Sequence, residues 1–191
     1  MDSATQSVSR TLWDIDPTHA LLEFSVRHLE ISTIKGRFTG MSGVIAVDEN
    51  THAETAVDVE IDAKTLNSGN DARDQHVLLS PDFLDVERYP TITFKSNRIE
   101  LQDNGRAMVY GDLTLRGVTK EIGLDTKLTG FGKNPFGGNK EIIGFEAHTT
   151  LTRADFGVSF NVPIEGGVMV GDTVDVVISI EATKQEPSVE R

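Results

Sequence analysis

The chain has 191 residues, of which 38% are hydrophobic and none is cysteine. Thirty acidic residues against 18 basic ones give a net charge of −12, which repels phosphate backbones and anionic membrane surfaces and argues against nucleic acid as a partner. The lack of cysteine excludes disulfides, thiolate zinc sites and cysteine nucleophiles.

Both ends of the chain read as flexible segments around one domain, residues 11–184. Residues 1–10 have neither a basic start nor an apolar run, so no secretory signal peptide is expected. Residues 185–191 are charged and contain a proline. No stretch reaches the roughly 18–20 consecutive apolar residues of a membrane-spanning helix. We therefore expect a cytoplasmic protein, or a periplasmic one if this N-terminus is a processed form.

The first half of the chain alternates between apolar and polar residues, as strands of barrels and sandwiches do. The first run places four side chains on one face: Leu22, Phe24, Val26 and His28. The next run carries Phe38 and then Met41 and Ile45, and this change of phase predicts a β-bulge at Gly40. A third run covers residues 57–63, where intervening acids predict a solvated face.

One segment departs from the two-residue period. Its apolar stripe has the spacing of a helix and consists of Ala72, His76, Leu79 and Phe83. Pro81 limits its length, and Ser68 with Asp71 three residues later predicts the N-terminal cap. A single helix in such a chain should cover a barrel end or lie against the barrel side.

Alternation resumes after the helix and continues to residue 182. The predicted strands are residues 92–101, 107–115, 122–128, 143–151 and 174–182. Asn104-Gly105 predicts a hairpin turn, Gly117 another reversal, and residues 132–139 a glycine-rich loop. The pattern predicts an all-β chain with one short helix, folded as an eight-stranded antiparallel β-barrel whose bore is either filled by side chains or open to a ligand.

Several motifs occur in order between residues 11 and 183. They include Trp13 to His19, Phe24 to Leu29, Arg73 to His76, Ser80 to Val86, Gly111 to Thr119 and Arg153 to Gly157. Together they resemble the YceI-like family. The resemblance implies a lipocalin-like barrel with a tunnel for a polyisoprenoid, and it implies a homodimer, since homodimers are common among such proteins. Some relatives are thought to hold quinones or fatty amides, and many carry a signal peptide, which residues 1–10 do not resemble.

A tunnel of this kind binds through burial, since each methylene contributes about 0.8 kcal/mol. The predicted ligand-binding residues on strands and loops are Phe24, Val26, His28, Phe38, Ile45, Phe94, Leu113, Phe145, Phe156 and Ile178. Those from the helical segment are Arg73, His76, Leu79 and Phe83. Gly111 and Gly144 are expected to leave space in the bore. The alternative is that these apolar side chains meet in an ordinary solid core.

Polar residues in this set have two interpretations each. His28 either bonds a ligand head group or satisfies a buried carbonyl. Arg73 and Arg153 either bind a pyrophosphate or quinone oxygen or brace the helix and a loop. The spacings of the histidines at 19, 28 and 76 match no zinc motif, so no metal site is predicted.

The sequence thus predicts a protein that binds a long-chain isoprenoid lipid or isoprenoid quinone as a carrier or store. It is not expected to be an enzyme or to use a cofactor other than this bound lipid. One alternative is an enzyme acting on such a lipid, with His28, His76 and Arg73 as acid, base and anchor. Another is a stress-related interaction protein with a packed barrel.

Overall fold

A computed structural model describes residues 10–48 and 55–186. These residues form thirteen strands and one α-helix. The strands are β1 (Arg10–Ile15), β2 (Leu21–His28), β3 (Ser32–Phe38), β4 (Met41–Asp48), β5 (Ala56–Asp62), β6 (Leu66–Asn67), β7 (Thr91–Leu101), β8 (Arg106–Leu115), β9 (Val118–Asn134), β10 (Lys140–Thr152), β11 (Pro163–Ile164), β12 (Gly167–Val168) and β13 (Val170–Lys184). The helix, α1 (Asp71–Leu79), lies between β6 and β7.

The sheet closes on itself through β1. This strand pairs with β4 on one side and with β13 on the other, which closes a ring in the order β1, β4, β5, β7, β8, β9, β10, β13. Each pairing in the ring is antiparallel. The predicted fold class, an eight-stranded antiparallel barrel with one helix, is confirmed. Closure satisfies the backbone groups that an open sheet would expose at its edges.

At two positions of the ring, two shorter strands follow one another: β1 and β2 at one position, and β4 and β3 at the next. β1 and β2 run in the same direction along β13, where Ile15 pairs with Ala182 and Leu21 with Ser179. Their hairpin partners are β4 and β3, which the chain connects through Thr39 and Gly40. The amides of these two residues donate to the Thr65 hydroxyl at 3.2 and 3.0 Å. The predicted change of phase at Gly40 lies at this interruption.

Short turns connect the strands of the second half. Asn104 and Gly105 have φ of 59° and 71° in the β7–β8 turn, and Arg116 and Gly117 have 51° and 71° in the β8–β9 turn. In the β8–β9 turn, where Leu115 pairs with Val118, the two left-handed residues form a two-residue hairpin. The β7–β8 turn is longer, with residues 102–105 between the strands. The predicted loop at residues 132–139 is shorter than expected, because Asn134 still pairs with Lys140. The backbones of β9 and β10 remain paired through the glycine-containing part of the predicted loop.

The cap of the helix lies two residues after the predicted one. The side chain of Asn70, not that of Ser68, accepts the Arg73 amide at 2.9 Å, so the predicted cap was wrong. The helix ends at Leu79, as expected before Ser80-Pro81. Among the described residues, no helix has the length and apolar character needed to cross a membrane.

The interior beside β1 is filled by side chains. Trp13 and Ile15 on β1 are buried, and Ala182 on the neighbouring β13 is fully buried. None of the three borders the cavity that occupies the rest of the interior. The interior is therefore packed solid beside β1, the strand that closes the ring.

Candidate functional site

A cavity of about 1010 Å³ runs inside the barrel. This volume is at the upper end of the roughly 300–1,000 Å³ usual for ligand pockets. Every ring strand except β1 contributes alternate side chains to its wall, among them Ile45, Val57, Val59, Phe94, Val109, Leu113, Leu124, Ala147, Val176 and Ile178. The alternative of a solid core was wrong, since the inward side chains surround open space rather than meeting.

Most of the predicted binding residues border this cavity. They are Phe24, Val26, His28, Phe38, Ile45, Arg73, His76, Phe83, Phe94, Leu113, Phe145, Phe156 and Ile178. Leu79 does not border it and is 56% exposed, so its predicted position was wrong. The helix turns Ala72, Arg73, His76 and Val77 toward the cavity, and Leu79 lies roughly a quarter turn from the middle of that face.

The glycines predicted to leave space do not do so. Gly144 lies between Ile143 and Phe145, which both border the cavity, so it faces outward, where a Cβ would meet the Thr129 hydroxyl. Gly111 faces inward, but a Cβ there would lie 2.6 Å from the Phe94 ring. Gly36 is covered by the Phe24 ring in the same way. Two of these glycines therefore accommodate wall aromatics and do not enlarge the bore.

Helix α1 and the segment before β13 cover one end of the barrel, here called the helix end. The His76 ring contacts Phe83 and Phe160 edge-on, with centroids 5.3 and 5.0 Å away. Phe83 and Phe160 stack on each other at 4.6 Å. All three border the cavity. This aromatic cluster joins the helix to the segment after β10 by contacts that favour edge-to-face and offset geometry.

Arg73 both braces the helix and borders the cavity. Its Nε donates to the Ser68 hydroxyl at 2.7 Å and its Nη2 to the Ser68 carbonyl at 2.8 Å. Asp74, which is buried, accepts the Ser68 amide at 3.0 and 3.1 Å. The bracing interpretation therefore holds for two donors of Arg73, while Nη1 has no hydrogen bond within residues 10–48 and 55–186.

Arg153 is a structural arginine. It is only 7% exposed, and it donates to the carbonyls of Val158, Phe160, Gly171 and Val170 at 2.8–3.2 Å. Burial lowers the pKa of its guanidinium, and the nearby Asp172 opposes that shift. Arg116 performs a similar task by donating to the carbonyls of Pro81 and Gly157. These arginines fix the loops of the helix end to one another.

The three residues of the enzymatic alternative lie along the same end of the cavity. His28, at the end of β2, is half-buried, whereas His76 is exposed and its ring contacts two aromatic rings edge-on. Within the described part of the chain, no hydrogen bond joins either ring to Arg73 or to a carboxylate. Acid–base and nucleophilic sites ordinarily orient a histidine through such a bond.

Sequence reasoning missed the residues at the opposite end, here called the hairpin end because the β9–β10 hairpin extends from it. Leu101, Gln102, Arg106 and Phe131 border the cavity there. Phe131 does so because of a bulge: Gly144 pairs with Gly130 while Phe145 pairs with Leu128, so Thr129 is left over. The extra residue turns the odd-numbered Phe131 to the face that Leu124 and Leu128 occupy. A bulge of this kind leaves no clear mark in the hydrophobic pattern.

A second polar cluster lies on the barrel wall, where β1 gives way to β2. Oxygen and nitrogen atoms of Asp16, His19 and Glu181 lie within 4.8 Å of one another. The Asp16 carboxylate bonds His19 Nδ1 at 2.8 Å and the Thr18 amide at 2.8 Å. The bond to His19 is the main cause that lowers the pKa of Asp16 to about 2, and the same bond raises the pKa of His19. These contacts stabilise the turn between the two strands.

Comparison with known proteins finds relatives that match most of the chain. Residues 13–182 match the model of the YceI-like domain. A UPF0312 protein of Vibrio parahaemolyticus is 39% identical over 172 residues, covering 90% of this chain and 86% of the relative. The crystal structure of a Campylobacter jejuni YCEI protein is 35% identical, with a TM-score of 0.69 over 84% of this chain and 90% of that one.

A more distant structure has the same fold. A polyisoprenoid binding domain from Saccharophagus degradans superposes with a TM-score of 0.67 over 91% of this chain and 98% of that domain. Its sequence identity of 15% shows a shared barrel and no more.

Proposed function

This chain belongs to the YceI-like family, and from that premise we propose that it binds a long-chain isoprenoid lipid or an isoprenoid quinone inside the barrel, as a carrier or store. The observation that carries the proposal is the cavity of about 1010 Å³, whose middle is bordered by aliphatic and aromatic side chains. Such a space takes up apolar chain without any polar contact.

The size of the cavity is consistent with such a tail. At about 30 Å³ per water-sized group, the cavity holds roughly thirty heavy atoms, or about six isoprene units. Burial at about 0.8 kcal/mol per methylene then gives useful affinity even after the cost of association. The Saccharophagus domain of the same fold is a polyisoprenoid binding domain, which supports this class of ligand over a short or polar one.

We place the head group at the helix end. Arg73, His28 and His76 all border the cavity there. Arg73 Nη1 and the two imidazole rings have no hydrogen bond to the residues that the structure describes. A quinone oxygen or a phosphate would supply acceptors for these groups, whereas the residues that border the middle of the cavity include no charged side chain.

Filling the middle of the cavity tests the proposal. Ala147 points inward from β10 and its neighbour His148 points to solvent. Ala147→Phe should lower the uptake of a hexaprenyl quinone by at least about tenfold, because the new ring occupies space in which the tail would otherwise bury apolar surface. His148→Phe adds the same ring to the outside and should bind as the unaltered protein does. Equal uptake by both variants would refute an interior site.

The proposal also excludes turnover. A prenyl diphosphate incubated with the protein should be recovered unchanged by mass spectrometry. Release of diphosphate at a rate that falls in His76→Ala would favour the enzymatic alternative instead.

A further inference from the structure

The β9–β10 hairpin carries two exposed aromatic side chains. Phe131 is 74% exposed and Phe136, in the turn of the hairpin, is 100% exposed. A phenylalanine with no protein contact costs hydration free energy that a partner would recover. The hairpin tip, residues 130–140, is therefore a candidate contact surface.

The tip is continuous with the cavity. Phe131 pairs with the buried Ile143 across the hairpin, and both border the cavity. Leu101, 57% exposed, borders the same end. The exposed aromatic surface thus begins at the rim of the cavity and ends at Phe136.

The charge of the tip differs from that of the rest of the chain. The tip, residues 130–140, contains two lysines and no acidic residue, although the whole chain has a net charge of −12. The acids at the base of the hairpin are paired: Glu141 lies 2.9 Å from Lys184 and Glu186 lies 3.5 Å from Lys140. A basic, aromatic tip on an acidic body has one orientation of lowest energy toward an anionic surface.

We propose that the hairpin tip docks the barrel on an anionic lipid bilayer. Phe131 and Phe136 enter the interface between head groups and acyl chains, and Lys133 faces the phosphates. The acidic remainder of the barrel is repelled by the same surface and points away from it. Docking would bring the rim of the cavity to the bilayer, which gives an isoprenoid cargo a path that avoids water.

Vesicle flotation of the full chain tests the docking. The protein should float with vesicles of phosphatidylcholine and phosphatidylglycerol in a three-to-one ratio, and more weakly with phosphatidylcholine alone. Phe136→Ser should lower the bound fraction by about tenfold, and Lys133→Gln by about fivefold. The matched controls are Ile31→Ser, which removes an 80% exposed apolar side chain at the opposite end, and Lys35→Gln on the wall of β3. Both controls should float normally.

A fluorescence measurement identifies the inserted residue. Phe136→Trp should shift its emission to shorter wavelength when the anionic vesicles are added and be quenched by brominated acyl chains. Ile31→Trp should show neither change, and the native Trp13 is buried and contributes a constant background.

Three outcomes would overturn the proposal. They are an unaltered protein that does not float, an equal loss in Ile31→Ser, and a Phe136→Ser variant that floats normally while changing from dimer to monomer in sedimentation. The last would assign the tip to contact between copies of this chain. The docking proposal depends on the proposed isoprenoid binding only for the identity of the cargo. A protein that binds hexaprenyl quinone in detergent but does not float refutes docking alone, and one that floats but binds no quinone refutes the cargo alone.

Discussion

The two ends of the barrel are built in opposite ways. At the helix end, Arg153 and Arg116 hold loops together through backbone carbonyls, and His76 joins α1 to Phe160. At the hairpin end, Phe131 and Leu101 border the same cavity but are more than half exposed. The polar and aromatic side chains of the helix end contact one another and the backbone, whereas those of the hairpin end are exposed and available to a partner. We infer that the helix end fixes the site and the hairpin end exchanges its contents.

The largest expected difference between the ends concerns their arginines. Arg153→Ala removes a donor from four buried or half-buried carbonyls, of which only that of Val170 keeps a second donor, Asn161 Nδ2, and this should lower the free energy of unfolding by about 3 kcal/mol or more. Arg106→Ala at the hairpin end breaks one exposed ion pair with Asp125 and should cost less than about 1 kcal/mol. Urea denaturation followed by the far-ultraviolet β signal measures both. Equal losses would mean that the ends do not differ in rigidity.

A smaller effect is expected from the aromatic cluster. His76→Ala removes two edge-on ring contacts and should lower stability by about 1 kcal/mol. The loss should be local, so the amides of α1 should exchange with deuterium faster while those of β9 and β10 keep their rates. Gln75→Ala, at the adjacent exposed position of the same helix, is the control and should leave α1 unchanged. Unaltered exchange in His76→Ala would show that the cluster does not hold the cover.

The smallest expected effect on stability comes from the pair of Asp16 and His19, on the barrel wall between the two ends. The bond to Asp16 raises the pKa of His19 above its usual 6.5, so its contribution is complete below pH 6.5 and is lost as pH rises through the raised value. The pKa of Asp16 falls from 3.8 to about 2, so its contribution is complete above pH 3.8 and is lost as pH falls toward 2. The pair is therefore intact between about pH 4 and 6.5.

Proton resonances of His19 measure this shift. Asp16→Asn should return the pKa of His19 toward 6.5, and Glu181→Gln should change it less, because Glu181 acts only through its charge at 3.9 Å. An unshifted His19 in the unaltered protein would remove the pair as a brace of the β1–β2 turn.

Much of the barrel could be predicted from the sequence, because a wall with one wet face leaves a two-residue period. The inward faces of β2, β5, β8 and β13 follow that period. The dipeptide Asn104-Gly105 is enough to predict the turn in which it lies. Closure through β1 could not be predicted. Six residues at the edge of the domain carry too short a pattern, and their pairing with β13 joins the two ends of the chain.

The site was predicted less evenly. Residues in phase with a strand, such as Phe24 and Ile178, could be assigned to the interior. Whether inward side chains meet or enclose space depends on the diameter and tilt of the ring, which period alone does not specify. Phe131 was missed because of the bulge at Thr129, since one extra residue exchanges the inner and outer faces of β9. Gly144 was misjudged for another reason: the period of β10 already turns it outward, between the inward Ile143 and Phe145. Arg153 gave no sign that its partners would be carbonyls of one loop and of the first residues of β13.

The central claim is that the barrel interior holds an isoprenoid chain. Extraction of the purified protein with organic solvent, followed by mass spectrometry of the extract, tests it most directly. The account predicts close to one isoprenoid lipid or quinone per chain, and a markedly lower yield from Ala147→Phe than from His148→Phe. An extract without stoichiometric lipid, from protein that also fails to take up hexaprenyl quinone, would contradict it.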